Sequence, residues 1–221
     1  MKLKLVAFDV DGTLYPNWIM YLRSLPFGIA NFRKLLAFAR VRKRIRTIKP
    51  VHDFYRLQAE LFASYMNITV PEARDQIQRV FYSLWEEVVL DVKPYPYLPE
   101  VLLHLKSRGY KLAILSDFPI GNKLRYLGLD SFWDAAYSCE EIGYLKPNPE
   151  PFKLLAAHFE VQPHEVLYVG NNYRYDIEGA KRVGFHTAYL HRLPRWCPAA
   201  DFKFSDYRQL LKWVESVREK E

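Results

Sequence analysis

Three short apolar runs, each leading into a polar residue, limit the folds that this chain can adopt. They cover residues 3–8, 111–115 and 166–169 and lead toward Asp9, Ser116 and Asn171. Continuous apolar runs are typical of strands that are buried on both faces of a parallel sheet. Because the carboxyl ends of such strands meet at one edge, we expect the polar residues to form a ligand site there.

Two acids, Asp9 and Asp11, stand at the first of these strand ends, with Gly12 after them. At this spacing on a tight turn, one acid can attack phosphorus while the other protonates the leaving oxygen. Gly12 lets the backbone turn sharply and bring its amides close to an anion. A calcium loop also begins with DxDG, but Thr13 replaces an expected acid or Asn, and Met20 replaces a bidentate Glu. The pair therefore favours phosphate chemistry.

Ser116 and Lys146 are candidates for contact with the same phosphate. Ser116 ends its strand and could donate a hydrogen bond from its hydroxyl, although strands also end in Ser for no functional reason. Lys146 precedes Pro147 shortly before a predicted helix, where it could neutralise phosphate and carboxylate charge. The alternative for Lys146 is an ordinary solvated lysine.

Oxygen-bearing side chains follow the strand at 166–170: Asn171, Asn172 and Asp176. Such oxygens can hold a hard cation such as Mg²⁺. Asn171 or Asp176 alone could equally cap the helix that follows.

Taken in order, these segments resemble the motifs of the haloacid dehalogenase superfamily, in particular its phosphatase-type members with an inserted helical cap. The family pattern is DxDGT, an apolar strand ending in Ser or Thr, a Lys commonly followed by Pro-x-Pro, and GDxxxxD. This chain matches the first three motifs and half of the fourth between Asp9 and about Gly184. It departs at Asn171, where the family usually has Asp.

The resemblance implies Asp9 as the nucleophile that forms an aspartyl-phosphate and Asp11 as the general acid and base, assisted by Ser116 and Lys146. It implies phosphate contacts from Gly12, Thr13, Ser116, Asp117 and Lys146. It also implies Mg²⁺ as the cofactor, held by Asp9, the backbone carbonyl of Asp11, Asn171 and Asp176. Because Asn171 removes one negative charge, we expect weaker Mg²⁺ binding than in relatives with two acids in this loop.

Strands alternate with helical patterns from residue 94 onward, which predicts an α/β fold with a Rossmann-like parallel sheet covered on both faces. Helical faces begin at Leu98, Phe152 and Tyr207, and a further helix is expected from about Tyr175 to Val183. Residues 16–93 contain helical faces and no convincing strand. There are three such faces, each on one predicted helix: Phe32, Leu35, Leu36 and Ala39 on the first; Phe54, Leu57, Leu61 and Tyr65 on the second; and Ile77, Val80, Phe81, Leu84 and Val88 on the third. We expect a core of residues 1–15 and 94–221 and a small all-α cap over 16–93.

The composition suits a soluble enzyme, because half of the 221 residues are apolar and can bury one α/β core. Cys139 and Cys197 allow one disulfide at most, so a reducing cytoplasm is the simplest location. Asp9 and Asp11 interrupt the first apolar run too early for a signal peptide. There is no uninterrupted apolar stretch of about 18 residues that could span a membrane.

The positive charge is concentrated in the predicted cap. The chain has 32 Lys and Arg against 25 Asp and Glu, and no acid occurs between Asp11 and Asp53. That segment includes Arg33, Lys34, Arg40, Arg42, Lys43, Arg44, Arg46 and Lys49. The stretch could be a solvated helix end, could attract an anionic substrate, or could dock on nucleic acid or an anionic membrane with aromatic partners such as Trp18 and Phe32.

We therefore expect a Mg²⁺-dependent phosphatase that acts on a small phosphorylated metabolite. A metal-independent dehalogenase of the same superfamily is the first alternative, favoured by the loop at Gly170 to Asn172 and opposed by Asp11. A non-catalytic binding protein that uses the basic cap is the second, opposed by the intact acid pair. The sequence does not indicate an oligomeric state.

Overall fold

The computed structural model describes residues 2–83, 90–191 and 197–218, apart from the side chains of residues 20 and 21. Within these ranges one parallel sheet has the strand order β3-β2-β1-β4-β5-β6. The strands are β1 (Leu5–Phe8), β2 (Lys111–Ser116), β3 (Ala135–Ser138), β4 (Val166–Gly170), β5 (His186–Leu190) and β6 (Phe202–Phe204). The predicted α/β class with a Rossmann-like parallel sheet is confirmed.

Helices account for most of the remaining described chain. The first group, between β1 and β2, is α1 (Asn17–Ala30), α2 (Phe32–Ile45), α3 (Phe54–Met66), α4 (Val70–Ile77) and α5 (Leu98–Ser107). The second group is α6 (Lys123–Tyr126), α7 (Cys139–Ile142), α8 (Pro149–His158), α9 (Glu178–Arg182) and α10 (Tyr207–Arg218). Short π-helical turns follow α4 at Gln78–Ser83 and precede α9 at Tyr173–Ile177.

Both faces of the sheet are covered by apolar packing. Leu5 and Ala7 of β1 belong to a core that includes Phe152 and Leu155 of α8. Val6 and Phe8, which alternate with them, belong to a second core with side chains of α5 and α10, including Leu98, Leu102, Leu210 and Val214. Because successive strand residues point to opposite faces, β1 is buried along its whole length. The predicted helices at Leu98, Phe152 and Tyr207 are confirmed.

The strand β1 lies at the point where the chain order of the sheet reverses. Phe8 is paired with Ile114 of β2 on one side and with Val169 of β4 on the other. Asp9 therefore leaves the sheet between the ends of β2 and β4. Ligand sites of open α/β sheets lie at this kind of reversal, outside the carboxyl ends of the strands.

The helices α1 to α4 all lie in the sequence between β1 and α5, as predicted, but the predicted inner face of α2 is wrong. Phe32, Leu36 and Ala39 are exposed, whereas the buried apolar side chains of α2 are Ala37, Phe38, Val41 and Ile45. The stacking of Phe38 on Phe81 at 3.9 Å between ring centroids explains the different orientation. Apolar residues occur on both sides of this helix, so periodicity alone could not choose the side that is buried.

Several smaller predictions have mixed outcomes. The strands β3 and β6 were not expected, because they are only four and three residues long. The thiols of Cys139 and Cys197 are free and buried. Leu84 and Val88 lie outside the described residues, and the division of the chain at residues 16 and 93 stays a prediction. Within the described ranges, every helix is too short or too polar to cross a membrane.

Candidate active site

The side chain of Lys146 lies at the centre of a buried group of charges. Its exposed fraction is 2%. The ammonium donates hydrogen bonds to Asp9 Oδ1 at 2.8 Å and to Asp176 Oδ1 at 2.6 Å, and it lies 3.0 Å from the hydroxyl of Tyr168. The alternative of an ordinary solvated lysine is therefore wrong. One cation joins the carboxylates that follow β1 and β4.

The charges in this group change one another's proton affinity. Burial raises the pKa of Asp9 to about 7; Lys146 opposes this shift, whereas Asp176 and Asp11 add to it. Burial acts to lower the pKa of Lys146, but Asp176 and Asp9 outweigh it and hold that pKa well above its usual range. Lys146 therefore remains an ammonium group at neutral pH.

The turn after β1 holds the second oxygen of Asp9. Thr13, which is fully buried, donates from its hydroxyl to Asp9 Oδ2 at 3.1 Å, and the same hydroxyl lies 3.4 Å from Asn171 Oδ1. The hydroxyl of Tyr207 on α10 donates to the carbonyl of Thr13 at 2.6 Å. Both oxygens of Asp9 are thus oriented by hydrogen bonds from different parts of the chain.

Gly12 is required by the shape of this turn. Its φ is +87°, a value that favours glycine, and a Cβ at this position would lie 2.0 Å from Asn171 Nδ2. A larger residue would therefore push the first loop of the site away from the loop after β4. The sharp turn that the sequence predicts at Gly12 is present, and the approach of its amides to an anion stays a prediction.

Asp11 is held separately from Asp9. Lys123 donates to its two carboxylate oxygens at 3.0 and 3.1 Å, and the hydroxyl of Tyr15 donates to Oδ1. The side chain of Asp11 is 15% exposed, while Lys123 is buried. Each acid of the pair therefore has a lysine of its own. Sequence analysis missed Lys123 and Tyr15 because neither belongs to a recognisable motif.

The loop after β4 orients Asp176 through the backbone. Asp176 Oδ2 accepts a hydrogen bond from the amide of Asn172 at 2.9 Å, and a Cβ on Gly170 would lie 2.4 Å from the Cβ of Asp176. The side chain of Asn172 accepts from the amide of Tyr175 and caps the π-helical turn. The N-cap residue is therefore Asn172 rather than Asn171, while Asp176 binds the amide of the N-cap residue from the first turn.

Ser116 ends β2 and Asp117 follows it, on the other side of Asp9. Ser116 is fully buried, and its Oγ accepts a hydrogen bond from the amide of Phe118 at 3.2 Å. Asp117 Oδ1 accepts from the amide of Lys146 at 2.9 Å. Burial acts to raise the pKa of Asp117, but Arg46, Lys146 and Arg42 outweigh it and lower that pKa. Asp117 thus carries a negative charge that fixes the backbone of the Lys146 loop.

Arg46 reaches this site from α2. Its Nε donates to the carbonyl of Lys146 at 2.7 Å, and its Nη2 pairs with Asp117 Oδ2. The guanidinium also lies 4.2 Å from the ring centroid of Tyr175. One side chain of the helical segment therefore contacts three loops of the sheet.

Arg42, one turn earlier on α2, is buried and pairs with Glu140 of α7. Its Nη2 donates to the carbonyl of Asp117 at 2.8 Å, and its guanidinium lies 4.2 Å from the ring centroid of Phe118. Glu140 also accepts from the hydroxyl of Tyr82 at 2.7 Å. The interpretation of the basic stretch as a solvated helix end is therefore wrong for Arg42 and Arg46.

A cavity of about 520 Å³ opens above these residues. Its polar lining includes Asp9, Asp11, Asp117, Lys146, Asn171 and Asp176, together with Arg42 and Arg46. Its apolar lining includes Leu35, Phe38, Phe81 and Phe118. The volume suits a small molecule, and the lining combines apolar side chains with carboxylates and cations.

The oxygen donors around the cavity fit a hard cation by their chemistry. They are the carboxylates of Asp9 and Asp176, the side-chain amide oxygen of Asn171 and the backbone carbonyl of Asp11, and such oxygens are the ligands that Mg²⁺ prefers. In the described part of the chain, no three Asp, Glu, His or Cys side chains converge as a complete metal site. Water would therefore have to supply several ligands, as is usual for Mg²⁺.

The chain is similar to both phosphatases and dehalogenases. The family model described as haloacid dehalogenase-like hydrolase matches residues 3–184. The glyceraldehyde 3-phosphate phosphatase of Methanopyrus kandleri is 28% identical, over 86% of this chain and 84% of that protein. The (S)-2-haloacid dehalogenase 4A of Burkholderia cepacia is also 28% identical, over 86% and 84%. The solved L-2-haloacid dehalogenase of Xanthobacter autotrophicus has the same fold, with a TM-score of 0.69, 21% identity and coverage of 96% and 98%.

Proposed function

From the premise that this chain belongs to the haloacid dehalogenase-like hydrolases, we propose that it hydrolyses small phosphomonoesters. The observation that carries this proposal is the presence of Asp11 and Asp9 in the lining of one cavity, each with its own lysine. Cleavage of a phosphate ester needs a nucleophile and a proton donor for the leaving oxygen. The two acids supply these two groups.

In the first step, a carboxylate oxygen of Asp9 attacks phosphorus. A bond forms between this oxygen and phosphorus, the bond from phosphorus to the leaving oxygen breaks, and Asp11 gives that oxygen its proton. Lys146, which is buried against Asp9, provides positive charge for the phosphoryl oxygens as negative charge develops on them. The products of this step are a free alcohol and an aspartyl-phosphate on Asp9.

In the second step, Asp11 acts as a base. Its carboxylate takes a proton from water while the water oxygen attacks phosphorus. The bond between phosphorus and Asp9 breaks, which returns Asp9 to a carboxylate and releases inorganic phosphate. Lys123 and Tyr15 both donate to the carboxylate of Asp11, which is the form in which it acts as a base in this step.

Mg²⁺, when bound, would neutralise charge on the phosphoryl oxygens and help to orient them. We assign its binding to Asp9, the carbonyl of Asp11, Asn171 and Asp176. Phosphate contacts are assigned to the backbone at Gly12 and Thr13 and to Ser116, Asp117 and Lys146. Because Ser116 donates no hydrogen bond of its own among the described contacts, its hydroxyl proton can turn toward a phosphate oxygen.

The substrate is proposed to be a small metabolite with one phosphate group. A cavity of about 520 Å³ suits this size. The helices within residues 16–93 act as its cap in this proposal, since Arg42, Arg46, Phe38 and Phe81 line the cavity from that segment. One relative, the phosphatase of Methanopyrus kandleri, is named for glyceraldehyde 3-phosphate, which is consistent with this size class.

A metal-independent dehalogenase is the second candidate, and Asn171 is the observation that favours it. An amide replaces a negative charge in the proposed cation site, and Lys146 already supplies a positive charge between Asp9 and Asp176. In this reaction Asp9 would attack carbon, the halide would leave with the bonding electron pair, and water would then hydrolyse the ester on Asp9. Because a halide needs no proton, this candidate needs no proton donor in its first step.

One comparison of variants tests the proposed function. The purified protein with Mg²⁺ should release inorganic phosphate from an aryl phosphate or from members of a panel of phosphorylated metabolites. Asp9→Asn should abolish this release, whereas Asp75→Asn, which changes an exposed acid on α4, should not. Equal release by the wild type and Asp9→Asn would overturn the proposal. Halide release from a 2-haloacid without metal would transfer the assignment to the dehalogenase.

A further inference from the structure

The outer side of α1 exposes a row of large apolar side chains. Trp18, Leu22, Leu25 and Ile29 follow one another at helical spacing and are 59%, 63%, 55% and 73% exposed. Arg23 is the one charged residue among the 14 residues of this helix. A helix of such composition is normally buried in a protein or a membrane. Here only the opposite side packs on the protein, through Ile19 and Phe27.

The same surface continues onto α2. Phe32 and Leu36 are 60% and 43% exposed, and the next positions on that side of the helix are Arg40 and Lys43. We define the exposed residues at 18, 22, 25, 29, 32 and 36 as the apolar row. Contiguous exposed apolar surface of this kind marks an interaction site in a folded protein.

Positive charge surrounds the apolar row, and negative charge is absent from this part of the sequence. No acid occurs from residue 12 to residue 52. The exposed or half-exposed cations on α2 are Arg33, Lys34, Arg40, Lys43 and Arg44. Arg42 and Arg46 point the other way and contact the sheet loops. The surface therefore combines apolar side chains with the exposed cations of α2 and with no acid from residues 12–52.

We propose that α1 and the exposed side of α2 dock on an anionic lipid surface. A helix of 14 residues is roughly 20 Å long, which is too short to cross a hydrocarbon core of about 30 Å. Such a helix can lie in the interface, with Trp, Leu and Ile side chains at the boundary between head groups and acyl chains. The cations of α2 then contact lipid phosphates.

Charge and apolar surface together distinguish an anionic membrane from a second copy of the chain or a nucleic acid as the partner of this surface. A second copy of the chain on a two-fold axis would bring the same cations and no acid to the contact. A nucleic acid would satisfy the cations but would leave the apolar row in water. An anionic membrane satisfies both parts of the surface.

Sedimentation with vesicles tests this proposal without any measurement of turnover, so its result is independent of the proposed function. The full chain should bind vesicles of phosphatidylcholine mixed with phosphatidylglycerol and should bind phosphatidylcholine alone much more weakly. Added salt should weaken the binding, because exposed charges are screened. Each cation near an anionic surface contributes about fivefold to binding, so Arg40→Gln/Lys43→Gln/Arg44→Gln should reduce affinity by about a hundredfold.

Variants of the apolar row separate its role from that of the cations. Leu22→Gln/Leu25→Gln/Ile29→Gln should abolish binding to mixed vesicles at moderate salt. Matched controls lie elsewhere on the surface: Leu103→Gln/Leu154→Gln for the apolar changes and Arg125→Gln/Lys153→Gln/Lys212→Gln for the charge changes. These controls should bind like the wild type. Circular dichroism melts should verify that every variant is folded.

Several outcomes would overturn the proposal. One is a wild type that stays in the supernatant with mixed vesicles at low salt. Another is equal loss of binding in the control variants and in the variants of α1 and α2. A dimer that disappears with Leu22→Gln/Leu25→Gln/Ile29→Gln, in a protein that binds no vesicles, would make the apolar row a self-association surface. Binding of nucleic acid but not of vesicles would assign the cations to that partner instead.

Discussion

The carboxyl edge of the sheet and the helices α1 and α2 use charge in opposite ways. At the sheet edge, Asp9, Asp176 and Lys146 are buried and paired with one another. On α1 and α2, most cations are exposed and have no acid nearby in the sequence. Strand ends held in register can keep buried ions within hydrogen-bond distance of one another. On an outer helix, charged side chains contact solvent or a partner molecule. Arg42 and Arg46 connect the two regions.

The strongest test of this contrast removes the central cation of the sheet edge. Lys146→Met leaves two buried carboxylates without their shared partner and should lower the free energy of unfolding by about 3–5 kcal/mol. It should also abolish phosphate release. The control is Lys4→Met, whose partner Glu165 lies at the opposite end of the sheet and whose own side chain is half exposed. That variant should lose less than about 1 kcal/mol in urea unfolding. Similar losses of unfolding free energy in Lys146→Met and Lys4→Met would contradict the larger contribution expected from the buried charges.

The next test breaks the connection between the regions. Arg42→Met or Glu140→Gln should each cost about 3 kcal/mol, because the remaining partner stays buried without its counterion. The double variant should lose less than the sum, with a coupling of about 1–3 kcal/mol. The exposed pair of Arg79 and Asp75 serves as the control, with an expected coupling below about 0.5 kcal/mol. Additive losses at Arg42 and Glu140 would mean that the pair does not join α2 to α7.

The sequence predicted the sheet edge better than it predicted the contacts of the helices. The family and the parallel sheet are confirmed, and Asp9, Lys146 and Asp176 meet as the strand ends suggested. This succeeded because parallel strands carry the residues that follow them to a common edge. The roles assigned to the site residues remain proposals.

The residues that sequence analysis missed depend on the path of the chain rather than on a local pattern. Lys123 meets Asp11 across 112 positions, and Arg42 meets Glu140 across 98. Periodicity also failed on α2, where apolar residues lie on both the buried and the exposed sides. An exposed apolar row and a buried one have the same spacing. Only the packing of Phe38 on Phe81 distinguishes them.

A smaller effect is expected where the sheet edge would bind metal. Asn171→Asp restores a negative charge and should lower the Mg²⁺ concentration that gives half-maximal rate by about tenfold, or roughly 1.4 kcal/mol. Asp176→Asn should raise it. Asn172→Asp is the matched control on the same loop, where the side chain caps a helical turn, and its effect should be smaller. Metal titrations that respond to neither Asn171→Asp nor Asp176→Asn would place the cation on another loop.

The last expected effect concerns stability and pH. Because burial raises the pKa of Asp9 to about 7, the folded protein binds a proton that the unfolded chain, with an Asp pKa of about 3.9, has lost. The stabilisation from this proton is complete below about pH 4 and disappears as the pH rises through 7. In metal-free buffer, the Tm of Asp9→Asn should therefore exceed that of the wild type at pH 8 and approach it at pH 4. A Tm difference between Asp9→Asn and the wild type that grows toward acidic pH would mean that folding lowers the pKa of Asp9 instead of raising it.

The most direct test of the account is the chemical identity of the intermediate. The wild type and Asp11→Asn are mixed with an aryl phosphate and Mg²⁺, quenched in acid within one turnover, and digested for mass spectrometry. The account predicts a phosphoryl group on the peptide that carries Asp9, and more of it in Asp11→Asn, because the base that activates water for the second step is missing. Turnover of the substrate with no phosphoryl group on Asp9 in either protein, or with the group on another residue, would contradict it.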